Sequence, residues 1–278
     1  MTEIRALRRV ELALAVLGLT VALLAFVVAL DTLYYHGLTL EPQLAFAVLD
    51  AVVIARALAS ALRQVRAQRR FLRELVVLRT VVIGGHRVRV VPGRELAAFC
   101  AGLLRPEVYV SEGTLSAAGA AELRAIVAHE AHHRARRDPL RLLLARVVSD
   151  ALRPLPPFAA LAERQAALAD LLADAAAVDA LGDRTPLASA FVRFDSVAPE
   201  RVDRLVRAGP ALTIPSALLA AAGAALIGIA ALVAPMLLAG WHPDLAIPPA
   251  IEFAALVLVC APACLAARRA GICVRPAA

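Results

Sequence analysis

His129-Glu130-Ala131-His132-His133 is the stretch of sequence on which the interpretation of this chain depends. On an α-helix, residues four apart share one face, with their Cβ atoms about 5–6 Å apart. His129 and His133 can therefore bind one metal ion with both imidazoles. Glu130 lies beside the first histidine, where its carboxylate can take a proton from a water on that metal. The H-E-x-x-H spacing predicts a zinc site on a helix, with Glu130 as general base.

The residues around this motif are typical of a helix. Residues 120–128 are rich in Ala, Leu, Glu and Arg and contain no Pro. Leu123, Ile126 and Val127 have the apolar spacing of a helix packed on a core. Asp138-Pro139 predicts that this helix ends here and that Asp138 caps the next one. We expect a buried helix of about twenty residues.

A third metal ligand is needed, because a catalytic zinc site has three protein ligands and one open position for water. Asp170 and Asp174 lie four residues apart in the otherwise apolar segment 167–177. Buried carboxylates cost free energy unless they are paired or bind a metal. We interpret Asp170 as the third ligand and Asp174 as an acceptor that orients a ligand imidazole. Glu163 and Asp174 are the alternative ligands.

Three segments resemble a known family. They are HEAHH followed by RARRDP at residues 129–139, the segment ADAAA that ends a helix at residues 173–177, and residues 102–111. They resemble the membrane metallopeptidases of the BlaR/MecR antirepressor type. More distantly, they are similar to the CAAX prenyl endopeptidase and the HtpX heat-shock protease. The resemblance covers residues 86–193 and implies a zinc endopeptidase with a zincin-like α+β domain.

The same resemblance implies how a substrate binds. In related peptidases, the strand nearest the active-site helix pairs with the substrate backbone, and Val108-Tyr109-Val110 is the candidate for that strand. A purely structural strand is the alternative interpretation of these residues. The family usually has Glu where this chain has Asp170, which is one methylene shorter. A protein or peptide substrate is implied, and a transcriptional repressor is implied by analogy alone.

The composition indicates a membrane protein. The chain is 61% hydrophobic with a mean hydropathy of +0.73, which is too apolar for an ordinary soluble domain. Four segments are candidate membrane spans: residues 10–30, 43–62, 211–240 and 247–267. We therefore predict a mainly α-helical integral membrane protein with about four transmembrane helices.

The arginines predict the orientation. Arg5, Arg8 and Arg9 precede the first span, and Arg63 and further arginines follow the second. By the positive-inside rule, both termini and residues 63–208 face the cytoplasm of a multi-pass protein in the cell membrane. The predicted domains are a transmembrane pair at 1–62, a cytoplasmic peptidase domain at 63–208 and a second transmembrane pair at 209–278. The predicted outer loops are too short for a β-lactam sensor domain.

The net charge of +7 does not indicate nucleic acid as a partner. The arginine clusters flank the predicted spans, and no nucleic-acid-binding module is recognisable. The lipid bilayer, through its anionic headgroups, is the predicted partner of these clusters. The four cysteines form no recognisable site, and a cytoplasmic location disfavours disulfides.

Between the second span and the motif, the pattern changes to that of strands. Residues 75–83, 86–91, 97–103 and 107–111 predict a small antiparallel sheet.

Two functions remain open on the sequence. The first is a zinc endopeptidase in which Glu130 is the base and Arg134, Arg136 or Arg193 stabilises the oxyanion. The second is a catalytically silent, metal-binding membrane scaffold or regulator. Asp170 in place of Glu favours the scaffold, whereas Glu130 favours the enzyme, because a scaffold needs no base.

Overall fold

The computed structural model describes residues 42–153 and 156–193. These residues belong to two compact units. The first contains residues 62–144 and 166–193, and the second contains residues 42–61, 145–153 and 156–165. The sheet, the H-E-x-x-H helix, Asp170 and Asp174 all belong to the first unit, whereas the alternative ligand Glu163 belongs to the second.

The described residues form six helices and four strands. In chain order these are α1 (Pro42–Glu74), β1 (Arg79–Ile83), β2 (His86–Val91), β3 (Ala98–Ala101), β4 (Glu107–Ser111), α2 (Glu112–Ala117), α3 (Ala120–Arg136), α4 (Asp138–Ala151), α5 (Pro156–Leu181) and α6 (Thr185–Arg193). The architecture is α+β, with one small sheet.

The predicted fold class, a mainly α-helical integral membrane protein with about four transmembrane helices, is wrong. What the structure describes is an α+β domain, and within residues 42–153 and 156–193 no helix combines the length and apolarity needed to cross a membrane. The predicted spans at 10–30, 211–240 and 247–267 lie outside the described residues.

The second predicted span, residues 43–62, is part of α1, which continues to Glu74 as an arginine-rich helix. Polar contacts interrupt its apolar character. The guanidinium of Arg56 donates from Nε and Nη2 to the carbonyl oxygen of Asp150, at 3.1 and 2.8 Å. The fully buried Ser60 donates from Oγ to Oδ2 of Asp150 at 2.6 Å. These hydrogen bonds satisfy polar groups inside protein, where helices of the second unit meet.

All four predicted strands are present, but the prediction of an antiparallel sheet is wrong. The strand order is β1-β2-β4-β3, and β2 pairs with β4 in parallel, whereas the other two pairs are antiparallel. The hairpin of β3 and β4 docks through β4, so that β4 lies between β2 and β3. Strand periodicity predicts that a strand exists, but the order of strands depends on long-range pairing.

The sheet has a core on each face. On one face, four fully buried valines of the sheet and α3 pack together: Val88, Val108, Val110 and Val127. On the other face, Val91, Ala101 and Tyr109 pack against Leu72 and Leu75, which lie at and just beyond the end of α1. The sheet thus holds α3, and the motif it carries, in a defined position.

The start of α3 is tied to α6 through Glu122. Its Oε2 accepts from the N–H of Gly119 at 2.9 Å, and its Oε1 accepts from the hydroxyl of Ser189. These hydrogen bonds, together with the nearby charge of Arg193, lower the pKa of Glu122 although burial opposes them. Arg193 also donates to the carbonyl oxygen of Ala117 at 2.9 Å. The N-terminal turn of α3 is therefore fixed.

Candidate metal centre

The two motif histidines face each other from successive turns of α3. Both are buried, and their Nε2 atoms lie 3.1 Å apart. The rings meet edge to face, with centroids 4.8 Å apart. The helix that carries them has 17 residues, somewhat fewer than the sequence predicts.

Asp170 on α5 completes a group of three. Its Oδ1 lies 3.6 Å from Nε2 of His133, and one ligand atom each from His129, His133 and Asp170 lies within 4.8 Å of the other two. The carboxylate of Asp170 is 42% exposed, so this side of the group is open to solvent. Glu163, an alternative ligand on the sequence, is exposed and is not part of this group.

The opposite nitrogen of each imidazole lies against its own carboxylate. Nδ1 of His129 is 2.9 Å from Oδ1 of Asp174, which is 4% exposed. Nδ1 of His133 is 2.8 Å from Oδ2 of Asp138, which is 2% exposed. We assign the proton of each ring to Nδ1, because an ionised carboxylate can only accept. Both Nε2 lone pairs then point into the group of three.

This arrangement fits a zinc ion. Two lone pairs that face each other across 3.1 Å repel unless a cation or a proton lies between them. Two nitrogens bound to one tetrahedral zinc at about 2.0–2.1 Å are roughly 3.4 Å apart, which is close to the observed separation. Two imidazoles and a carboxylate are also the ligand types of catalytic zinc sites.

The charges around His133 favour a cation. Burial lowers the pKa of His133, but the hydrogen bond that Nδ1 of His133 donates to Asp138 and the negative charges of Glu130, Asp138 and Asp170 outweigh burial, so that the pKa is raised. A field that favours a proton on an imidazole also favours a divalent cation beside it.

The role of Asp138 was not predicted from the sequence, which indicated only a helix cap. Arg137 adopts the left-handed conformation (φ 56°, ψ 40°) and ends α3. The chain then turns, and Asp138, the first residue of α4, points back to His133. Its other oxygen, Oδ1, lies 3.4 Å from Nε of Arg136. An acidic residue directly after the helix that carries the histidines was the available signal.

Glu130 lies on the side of α3 that faces β3. Its charge acts on the thiol of Cys100 in β3, and so does the charge of Arg134, one turn further along the helix. Glu130 is partly exposed, which leaves its carboxylate accessible to a water or a substrate.

The three arginines proposed for the oxyanion lie in different surroundings. Arg193 is bound near Glu122, which precedes Glu130 on α3 by about 12 Å of helix rise. Arg136 contacts Asp138. Arg134 lies on the side of Glu130 and β3, where its charge acts on Cys100.

The prediction that Val108-Tyr109-Val110 binds the substrate backbone is wrong. These residues are in β4, which already pairs with β2 on one side and with β3 on the other. A strand with two partners has no backbone groups left for a third. The strand at this edge of the sheet is β3, which packs against α3.

The thiol of Cys100 provides a probe of this side of the site. Burial, followed by the charges of Glu130 and Asp138, raises its pKa from 9.0 to about 12, although Arg134 acts in the opposite direction. The thiol is therefore protonated at pH 8, and only the thiolate reacts with iodoacetamide. We expect Cys100 to be alkylated about 1,000-fold more slowly in the native chain than in urea, as measured by mass spectrometry of the Cys100 peptide.

The substitution Glu130→Gln removes one of the charges that raise the pKa of Cys100. We expect it to speed alkylation in the native chain, whereas Glu74→Gln, a substitution at an exposed residue of α1, leaves the rate unchanged. A rate for Cys100 in the native wild-type chain equal to that in urea would contradict this account of the site.

Comparison with known proteins agrees with the geometry. Peptidase family M48 matches residues 63–193, a stretch that includes the sheet, the H-E-x-x-H helix, Asp170 and Asp174. The match supports a metallopeptidase, and therefore a hydrolase, of the M48 group. No curated protein and no solved structure matches the chain.

Proposed function

We propose that this chain, with its match to a metallopeptidase family, is a zinc-dependent endopeptidase that hydrolyses peptide bonds of protein substrates. One observation carries the proposal: Nε2 of His129, Nε2 of His133 and a carboxylate oxygen of Asp170 converge, while a separate carboxylate holds each Nδ1. The predicted location in the cell membrane and the predicted domain boundaries stay predictions.

In the proposed site, His129, His133 and Asp170 would hold a zinc ion. Zinc bound there would lower the pKa of a water to about 7 and polarise the scissile carbonyl. Glu130 accepts a proton from the water while the oxygen of that water forms a bond to the carbonyl carbon. Glu130 then delivers that proton to the amide nitrogen as the C–N bond breaks. Asp174 and Asp138 keep the two imidazoles in the tautomer that leaves Nε2 free to bind.

The edge of β3 is the proposed binding place for the substrate backbone. In an antiparallel pair, residues alternate between those that bond to the partner strand and those that face away. The N–H of Ser111 donates to the carbonyl oxygen of Ala97 at 2.9 Å, so the backbone groups of Ala98 and Cys100 face the open edge. An extended peptide could add to β3 through these groups. Arg134 is the proposed donor to the oxyanion.

Metal removal tests the proposal. We expect the purified full-length chain to cleave a fluorogenic peptide library, to lose this activity with 1,10-phenanthroline and to regain it with Zn²⁺. Inhibitors of serine and cysteine peptidases should have no effect. Cleavage that persists after mass spectrometry shows complete metal removal would overturn the proposal.

The alternative is a metal-binding scaffold without activity. It is favoured by the short side chain of Asp170 and by the 3.6 Å from its Oδ1 to Nε2 of His133, which is longer than the 3.1 Å between the two histidine nitrogens. A chain that binds zinc but cleaves no peptide of the library would support the scaffold.

A further inference from the structure

We infer that Asp138 is a positioning residue of the metal centre, which sets the affinity for the metal by holding His133. The inference rests on the proposed function, because it assumes that His133 is a ligand. Asp138 is not one of the three proposed ligands. It lies on α4, whereas Asp174, the carboxylate next to His129, lies on α5.

Each carboxylate oxygen of Asp138 contacts a different side chain. Oδ2 lies 2.8 Å from Nδ1 of His133, and Oδ1 lies 3.4 Å from Nε of Arg136. The residue is only 2% exposed, so water cannot replace either partner at low cost. A buried carboxylate that lies between a histidine and an arginine is restrained in orientation, and its hydrogen bond with Nδ1 restrains the imidazole in turn.

The position of Asp138 in the chain gives it a role that Asp174 cannot share. Asp170 and Asp174 are both on α5, so any movement of α5 displaces the third ligand and the partner of His129 together. Asp138 instead follows α3 directly, after the left-handed turn at Arg137. It therefore keeps His133 oriented independently of α5. Residues 129–138 thus supply two of the three proposed ligands and the carboxylate that orients His133.

The physical effect is on both the tautomer and the basicity of His133. A carboxylate at Nδ1 keeps the proton on that atom and leaves the Nε2 lone pair for the metal. It also makes Nε2 a stronger donor. An amide in its place can turn its NH₂ group towards Nδ1, which moves the proton to Nε2 and blocks the ligand atom.

The test is the zinc affinity of Asp138→Asn in the full-length chain, measured by competition with a chromophoric chelator. Substitutions of groups that orient metal ligands typically weaken binding 10–100-fold, and we expect a rise of Kd in this range. We also expect altered d–d absorption bands of bound Co²⁺, which report on the ligands and would not change after a purely structural loss. The control is Asp179→Asn, an exposed aspartate of α5, which should match wild type in both measurements.

The wild-type chain provides a second measurement that does not depend on the folding of a variant. In ¹⁵N-histidine-labelled chain, His133 should be protonated at Nδ1, and the Nε2–H tautomer would overturn the inference. Equal Kd values and equal Co²⁺ spectra for wild type and Asp138→Asn would also overturn it, while leaving the proposed function intact. A folded wild-type chain that binds no zinc would overturn the proposed function, and the inference with it.

Discussion

Replacing Glu130 with Gln is expected to lower the rate of peptide cleavage by about 10²–10⁴-fold, the usual contribution of a general acid–base group. Gln has the shape of Glu but cannot accept a proton from water. The converging ligand atoms belong to His129, His133 and Asp170 and not to Glu130. The variant should therefore bind as much zinc as wild type. The rate is measured on the peptide library, and the metal by inductively coupled plasma mass spectrometry.

The matched control for Glu130→Gln is Glu74→Gln, because Glu74 is exposed and pairs with Arg70 one turn away on α1. This control should cleave at the wild-type rate. If Glu130→Gln cleaved as fast as wild type, the assignment of Glu130 as general base would be wrong. If it lost zinc, Glu130 would instead support the binding of the metal.

The second large effect is expected for Asp170→Ala, which should lose most of the zinc that wild type holds at about one ion per chain. Alanine leaves two imidazoles as the only protein ligands, and two ligands hold zinc poorly at micromolar concentrations. Asp170→Glu should retain zinc, because it restores a carboxylate at the same position. Metal content and zinc affinity are measured on the purified full-length chain.

Asp174→Ala distinguishes ligation from orientation. Asp174 lies 2.9 Å from Nδ1 of His129, on the side away from the converging ligand atoms. We therefore expect it to retain zinc with an affinity 10–100-fold weaker than wild type, a smaller loss than that of Asp170→Ala. Equal zinc affinity in wild type and Asp170→Ala would show that Asp170 is not the third ligand.

Local sequence predicted much of the candidate site. The spacing of His129, Glu130 and His133 predicts the relation of these side chains, because one helical turn brings residues four apart onto one face. The same rule brings Asp170 and Asp174 onto one face of α5. The strands are predicted for a similar reason, since alternation along β2 and the valines of β4 depend only on which face of a strand is buried.

The order of the strands was decided by the tertiary structure. Periodicity does not show which strands pair with each other. For this reason, neither the parallel pairing of β2 with β4 nor the position of β3 at the edge of the described sheet was predictable. For this reason, β3 and not β4 is the strand proposed to pair with the substrate backbone. The fold class was wrong because hydropathy measures the apolar character of a segment and not its neighbours. Arg56 and Ser60 in α1 find partners inside the protein.

At Asp138, local sequence and tertiary structure each determined a different feature of the site. The sequence by itself determined that a helix ends at this residue and that another begins, since Asp-Pro favours the start of a helix. Only the tertiary structure brought its carboxylate back to His133. That contact depends on the left-handed turn at Arg137 and on the burial of both partners. The sequence therefore determined the ligand types and their spacing, which follow from local geometry. Their orientation and the open edge beside them depend on contacts between distant residues.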